Sequence, residues 1–127
     1  MYANEFYDLD YSPAQNQVNW KVKGLWRSVG VVPNMEKDWG AILAQTKSGF
    51  NVLADLTEMK PPPQDVEALH AKVQKQIIDT GVHKIAAVIG SALVDMSVQH
   101  IGKQSGMIQL MSNFADEASA QAWLDAS

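Results

Sequence analysis

Three strand-length, apolar-rich runs, Phe50–Leu56, His83–Ile89 and Met107–Met111, alternate with segments whose apolar residues recur at helical spacing. Strands of this kind need a crossover, usually a helix, to return in parallel, whereas a hairpin needs only a few residues. The alternation therefore restricts the chain to an α/β class with right-handed crossovers and a mostly parallel sheet. His83–Ile89 carries Ile85-Ala86-Ala87-Val88-Ile89 without alternation, the pattern of a strand buried on both faces.

The N-terminal part follows a different period. Tyr7, Leu9 and Tyr11 alternate with Phe6, Asp8 and Asp10, and Val18, Trp20 and Val22 alternate with Asn19, Lys21 and Lys23. Period-two patterns joined by the turn residues Ser12-Pro13-Ala14-Gln15-Asn16 read as a β-hairpin, which adds an antiparallel edge. The segment Gly24–Val32 has no pattern that assigns it and reads as a connection.

Helix signals fall between the later strands. Pro33-Asn34 opens the first, Glu36 and Asp38 suit its positive N-terminal end, and Met35, Trp39, Ile42, Leu43 and Thr46 share a face that Gly49 closes. The triple proline Pro61-Pro62-Pro63 ends the strand begun at Phe50, because proline lacks the ladder donor. Val66, Leu69, Val73 and Ile77 form the inner stripe of a second helix closed by Gly81. Ser91 caps a third with Leu93, Val94, Val98 and Ile101 inward, and Asp116 caps a fourth with Ala120, Trp123 and Leu124 inward. The expected order is β-β-α-β-α-β-α-β-α, one domain over residues 1–127 with about five strands and four helices.

Composition removes several chemistries. With 127 residues, no cysteine and a net charge of −4, the chain has no disulfide framework, thiolate metal site or cysteine nucleophile. Four tryptophans would suit stacking on single-stranded nucleic acid, but that mode needs a basic groove. Arg27 is the sole arginine and acids outnumber bases, so nucleic acid is not an expected partner. Trp20, Trp39 and Trp123 read as core, and Trp26 as either core or partner surface. No apolar run approaches the ~20 residues of a membrane-spanning helix. The opening Met1–Asp8 carries acids where a secretory signal has bases, and the expected location is the cytoplasm.

No motif supplies an active site. Gly102-Lys103-Gln104-Ser105 resembles the end of a phosphate-binding loop, yet Gln104 stands where Ser or Thr is required and Ser97 where the first glycine belongs. His70, His83 and His100 have no metal-ligand spacing and read as surface or boundary histidines. No nucleophile, base and orienter can be named together, so no catalytic, cofactor or metal residue is assigned and the chain reads as non-enzymatic. Polar residues do recur where strands end: Asp55 and Thr57, Ser91 and Asp95, Ser112 and Asn113. Ligands in open α/β sheets sit at such ends, although the same residue types cap helices and shape turns.

The string Asp55-Leu56-Thr57, the amphipathic helix ending at Thr80-Gly81, the strand His83–Ile89, and the close from Phe114-Ala115-Asp116 to Ala122-Trp123-Leu124 resemble a STAS domain. They are similar to the SpoIIAA-like group of bacterial sporulation anti-sigma-factor antagonists and, more distantly, to lipid-binding CRAL-TRIO domains. The resemblance spans about Val18 to Leu124 through loose apolar spacing. It implies a protein-interaction or regulatory domain with a protein partner, a homodimer being one form. The family's phosphorylated Asp-Ser-Ser-Gly-like segment falls opposite Pro63-Gln64-Asp65-Val66, where no hydroxyl remains. Asp65 matches the modified serine, either as a fixed negative charge facing a partner or as a carboxylate that only stabilises the helix N-terminus. The implied partner surface comprises Asp55, Thr57, Gln64, Asp65, Ser91 and Asp95. A small-molecule or lipid-binding module with a pocket between helices and sheet is the alternative.

Overall fold

Tyr7, Leu9 and Tyr11 face Val22, Trp20 and Val18 across two antiparallel strands, so each alternating pattern supplies one side of a row of apolar cross-strand pairs. In the computed structural model, which describes residues 1–126, these are strands β2 (Tyr7–Ser12) and β3 (Gln17–Gly24), preceded by a two-residue strand β1 (Tyr2–Ala3). Asn16 turns the hairpin with φ of 49°, a left-handed conformation that asparagine tolerates. Its side-chain carbonyl accepts hydrogen bonds from the Tyr11 hydroxyl at 2.7 Å and the Lys47 amide at 3.1 Å. The turn is thereby tied to the loop that leads into the next strand.

The remaining elements are α1 (Met35–Leu43), β4 (Asn51–Met59), α2 (Gln64–Thr80), β5 (Lys84–Ile89), α3 (Ala92–Ser105), β6 (Met111–Phe114) and α4 (Glu117–Asp125). One six-stranded sheet runs in the order β1-β2-β3-β4-β5-β6, antiparallel through β3 and parallel from β3 to β6. Strands added in sequence order, each through a crossover of the same hand, put all three crossover helices on one face. Helices α1, α2 and α3 pack side by side there, while α4 folds back across β4, β5 and β6 on the other.

The two faces carry unequal cores. Beneath α1–α3 lie Tyr7, Trp20, Trp26, Trp39, Phe50 and the inward residues of β4 and β5; beneath α4 lie only Leu53, Ala86, Val88, Ala120 and Leu124, with Phe114 and Trp123 packed against them. Residues Ile85 to Val88 are all buried, which accounts for the lack of alternation in β5. Gly81 closes α2 and Gly106 closes α3, both in the left-handed conformation that terminates helices. Ser91 and Asp116 cap α3 and α4 by accepting from the amides of Val94 and Ser119.

Several expectations are corrected. The sheet has six strands, not five, because the two-residue β1 is too short to leave a pattern. Met107–Leu110 forms a 3₁₀ turn, and the last strand starts only at Met111. An apolar run without alternation does not separate strand from buried turn, and here Met107 plugs the core directly after Gly106. Helix α1 ends at Leu43, whose carbonyl accepts from the Thr46 hydroxyl at 2.8 Å, so Thr46 lies beyond the helix. Gly49, with φ of 83°, turns the chain into β4 rather than stopping α1. β4 continues three residues past Leu56 to Met59 before the prolines. Leu93 is exposed, since the inner stripe of α3 is Val94, Val98 and Ile101. Trp26 belongs to the core, and the unassigned connection contains a 3₁₀ turn at Val29–Val31.

One polar bond locks the hairpin to α1. The buried Tyr7 hydroxyl donates to Asp38 Oδ2 at 2.6 Å, and burial, reinforced by this carboxylate, pushes the phenol up to about 12. Tyr7→Phe is expected to cost ~1.5–3 kcal/mol, the usual range for a hydrogen bond to a charged group, as read by urea unfolding at pH 7. The raised value has a second consequence. The unfolded phenol releases its proton near pH 10 while the folded one retains it, so wild-type stability falls between pH 10 and 12. Tyr7→Phe removes that part of the alkaline slope.

Candidate functional site

Parallel strands end together, so the loops after β3, β4, β5 and β6 gather at one end of the molecule. Gly90 suits a close approach there: a side chain at this position would start 3.2 Å from the Thr57 carbonyl oxygen, as β5 leaves the sheet across the extension of β4. The six residues singled out in the sequence all lie towards this end, but they divide among three places. Asp55 Oδ1 accepts from both the amide and the hydroxyl of Thr57, at 3.0 and 2.7 Å, closing a local turn on β4. Asp55 belongs to a shallow polar groove with Asp8, Asp10, Asn19, Lys21 and Glu117, on the face that α4 covers only in part.

Gln64 and Asp65 open α2 on the opposite face. The cap position is Pro63, which supplies no side-chain acceptor, so Asp65 and Glu67 are the acids of the first turn. Asp65 Oδ2 also accepts from the amide of Val29 at 3.3 Å, joining the 3₁₀ turn after β3 to the start of α2. Glu67 meets His100 Nδ1 of α3 at 3.1 Å. The third place is a cleft between the ends of β5 and β6, lined by Gly90, Ser91, Asp95, Asn113 and Phe114. Asp95 Oδ1 accepts from Asn113 Nδ2 at 2.9 Å, and the Ser91 hydroxyl is engaged as the α3 cap.

Large apolar side chains are exposed at the same end. Leu25 and Val29 follow β3, while Leu93 and Met96 occupy the first turns of α3 and are 66% and 68% exposed. Val29 is tied to the α2 start through its bond to Asp65, and Leu93 and Met96 lie on the helix that packs against α2. Leu93 is not inward as its place before the apolar stripe suggests; the 100° step per residue sets it beside the Val94–Val98 stripe instead of within it.

A second feature lies inside the fold. Between α1–α3 and the sheet is a cavity of about 60 Å³, lined by Trp20, Trp39, His70, Gln74 and Met107 among otherwise apolar residues. This is several-fold below the ~300–1,000 Å³ of sites for drug-sized ligands. His70 corrects the expectation of a surface or boundary histidine: it is 7% exposed and its ring stacks on Trp26 at 4.9 Å. The signal was available, because Val66, His70, Val73 and Ile77 form an unbroken 4-3-4 stripe. Neither His70 Nε2 nor Trp39 Nε1 has a hydrogen-bond partner among the described residues. His83 and His100 are exposed as expected.

No group of three or more potential metal-ligating side chains occurs among the described residues, and none of their helices is long and apolar enough to cross a membrane. Compared with models of known protein families and with curated proteins, the chain matches none.

Burial lowers the His70 imidazole to about 4, and the sign of its effect follows. Between pH 6.5 and 4 the unfolded chain binds a proton at this residue that the folded chain refuses, so stability declines as pH falls through that window. The loss is roughly 3 kcal/mol when complete, at 1.36 kcal/mol per unit of pKa difference. Urea unfolding between pH 7.5 and 4 should show this slope in the wild type and its absence in His70→Phe, with His70→Leu as a smaller replacement. Parallel slopes in all three proteins would contradict the assignment.

Proposed function

We propose that the chain is a non-enzymatic, STAS-like protein-interaction or regulatory domain of the SpoIIAA-like group, acting through the end of the sheet where β3–β6 terminate. The observation that carries this reading is the exposure of Leu25, Val29, Leu93 and Met96, on the connection after β3 and the first turns of α3. Exposed apolar side chains gathered in one region mark interaction surfaces, whereas scattered ones need no explanation. The succession of strand–helix units from β3 to α4 agrees with the family resemblance.

Asp65 gives the surface its regulatory character. It occupies the position opposite the family's phosphorylated serine and carries a permanent negative charge in the first turn of α2. A carboxylate there interacts favourably with the helix N-terminus, typically by ~0.3–1 kcal/mol, and its bond to Val29 holds an apolar member of the surface against the helix. The proposal is therefore of a domain fixed in one charge state, with no kinase-driven switch at this position. A cytoplasmic location belongs to the same reading.

Affinity purification from the native host tests it. The wild type is expected to retain a protein that Leu93→Asp/Met96→Asp loses by at least about tenfold, a change of ~1.4 kcal/mol in binding. Both positions are exposed, so folding stability should change by no more than about 0.5 kcal/mol per substitution. Sedimentation of the same pair identifies the case in which the partner is a second copy of the chain. Asp65→Ala should weaken the same association with stability altered by less than about 1 kcal/mol. Identical partners and oligomeric state in all variants would exclude this surface.

A further inference from the structure

Protein interiors pack about as densely as organic crystals, and their larger voids are few. The cavity under α1–α3 departs from that rule in a place where the chain also buries two ring nitrogens without partners, Trp39 Nε1 and His70 Nε2. Each unpaired buried nitrogen is destabilising, and phenylalanine at either position would fill similar space without one. A mostly apolar pocket with a few placed polar groups is the common form of a small-molecule site. We propose that this cavity binds a small neutral molecule with an apolar body and one oxygen acceptor, a ketone or alcohol smaller than benzene, of at most about five heavy atoms, held by Trp39 and His70.

The wall chemistry sets the ligand class. An indole N–H only donates, so the ligand must present an acceptor to Trp39. None of the residues lining the cavity bears a formal charge with His70 neutral, and a buried unpaired ion is strongly disfavoured. Burial keeps the His70 imidazole uncharged down to about pH 4, so it offers no cation to an anionic ligand. A water held between the two ring nitrogens, which meet the minimum of two polar partners, is the competing occupant, but it leaves the apolar walls that make up most of the lining without a partner.

Size follows from the volume. A cavity of roughly 150 Å³ lined by aliphatic and aromatic side chains takes up benzene, so about 60 Å³ admits a smaller molecule as it stands. Four of the chain's six methionines, Met35, Met59, Met107 and Met111, line the space. Their unbranched, flexible side chains adapt to an occupant more readily than branched residues do. Met111 and Gln74 are only partly buried and mark the way to solvent.

Two shape-matched probes test the proposal on the intact chain: 2-butanone, and 2-methyl-1-butene, which lacks the oxygen. In NMR titrations, with the indole resonance assigned through Trp39→Phe, 2-butanone is expected to shift the Trp39 N–H and His70 ring signals saturably. The alkene should bind about tenfold more weakly, and Trp39→Phe should abolish that preference. Ala87→Val, or Ala54→Val if the first variant does not fold, fills the space and should eliminate binding of both probes. The proposal is overturned if neither probe shifts these signals, if both bind equally, or if a long-lived water on Trp39 N–H is never displaced by the ketone. This site and the partner surface around Asp65 involve different residues, so either can fail alone.

Discussion

Everything that the N-terminal hairpin contributes depends on one contact network of rings. Tyr7 and Trp20 project from adjacent strands with centroids 5.2 Å apart, Trp20 meets Trp39 of α1 at 5.2 Å and Trp26 at 6.2 Å, and Trp26 stacks on His70 of α2. Four segments distant in sequence thereby share one buried cluster. Aromatic pairs add ~0.5–1.5 kcal/mol each beyond the area they bury. Without them, the antiparallel edge would attach to the rest of the fold through the β3–β4 ladder and a few polar bonds such as Tyr7–Asp38 and Asn16–Lys47. The Tyr7–Asp38 bond and the Trp26 Nε1 bond to the Phe6 carbonyl, at 3.1 Å, satisfy two of the polar groups that this packing buries, while Trp39 Nε1 and His70 Nε2 stay unpaired.

The same cluster explains the uneven distribution of the molecule's features. Three crossover helices on one face build a deep core, and the bulky rings that fill it leave space beneath the middle turns of the helices. The residual space and the two unpartnered nitrogens lie there. On the opposite face, a single nine-residue helix covers β4–β6 and leaves β2 and β3 to solvent. That surface is polar, with Lys23 paired to Asp8 at 2.9 Å and Lys21 to Glu58 at 2.6 Å. Exposed pairs of this kind contribute little stability.

The candidate surface was partly legible. Ser91 and Asp116 declared themselves as caps because short polar side chains before an apolar stripe have a local role that needs no tertiary partner. Asp65 was identifiable as an acid in a helix's first turn, but its bond to Val29 depended on a connection with no periodicity of its own. Leu25 and Val29 were invisible for the same reason, and Leu93 was turned the wrong way because one position is an angular error of 100° on a helix. His70 lay in plain view within the α2 stripe, where its chemical type argued for the surface and its spacing argued for the core. Spacing prevailed, since Trp26 offers the ring a stacking partner and burial is tolerated while the imidazole stays neutral.

The sequence by itself determined the class of fold. Period-two patterns, helical stripes and turn residues act over a few neighbours, and connection lengths then leave a hairpin followed by parallel strands as the arrangement that covers every apolar face. Only the tertiary structure decided which residues meet across the fold: that β4 outruns β5 so that Gly90 passes over Thr57, that Met107–Leu110 is a turn under α3, and that Trp39 and His70 line one cavity. Contacts between segments tens of residues apart depend on how complete elements pack, and no local pattern encodes that geometry.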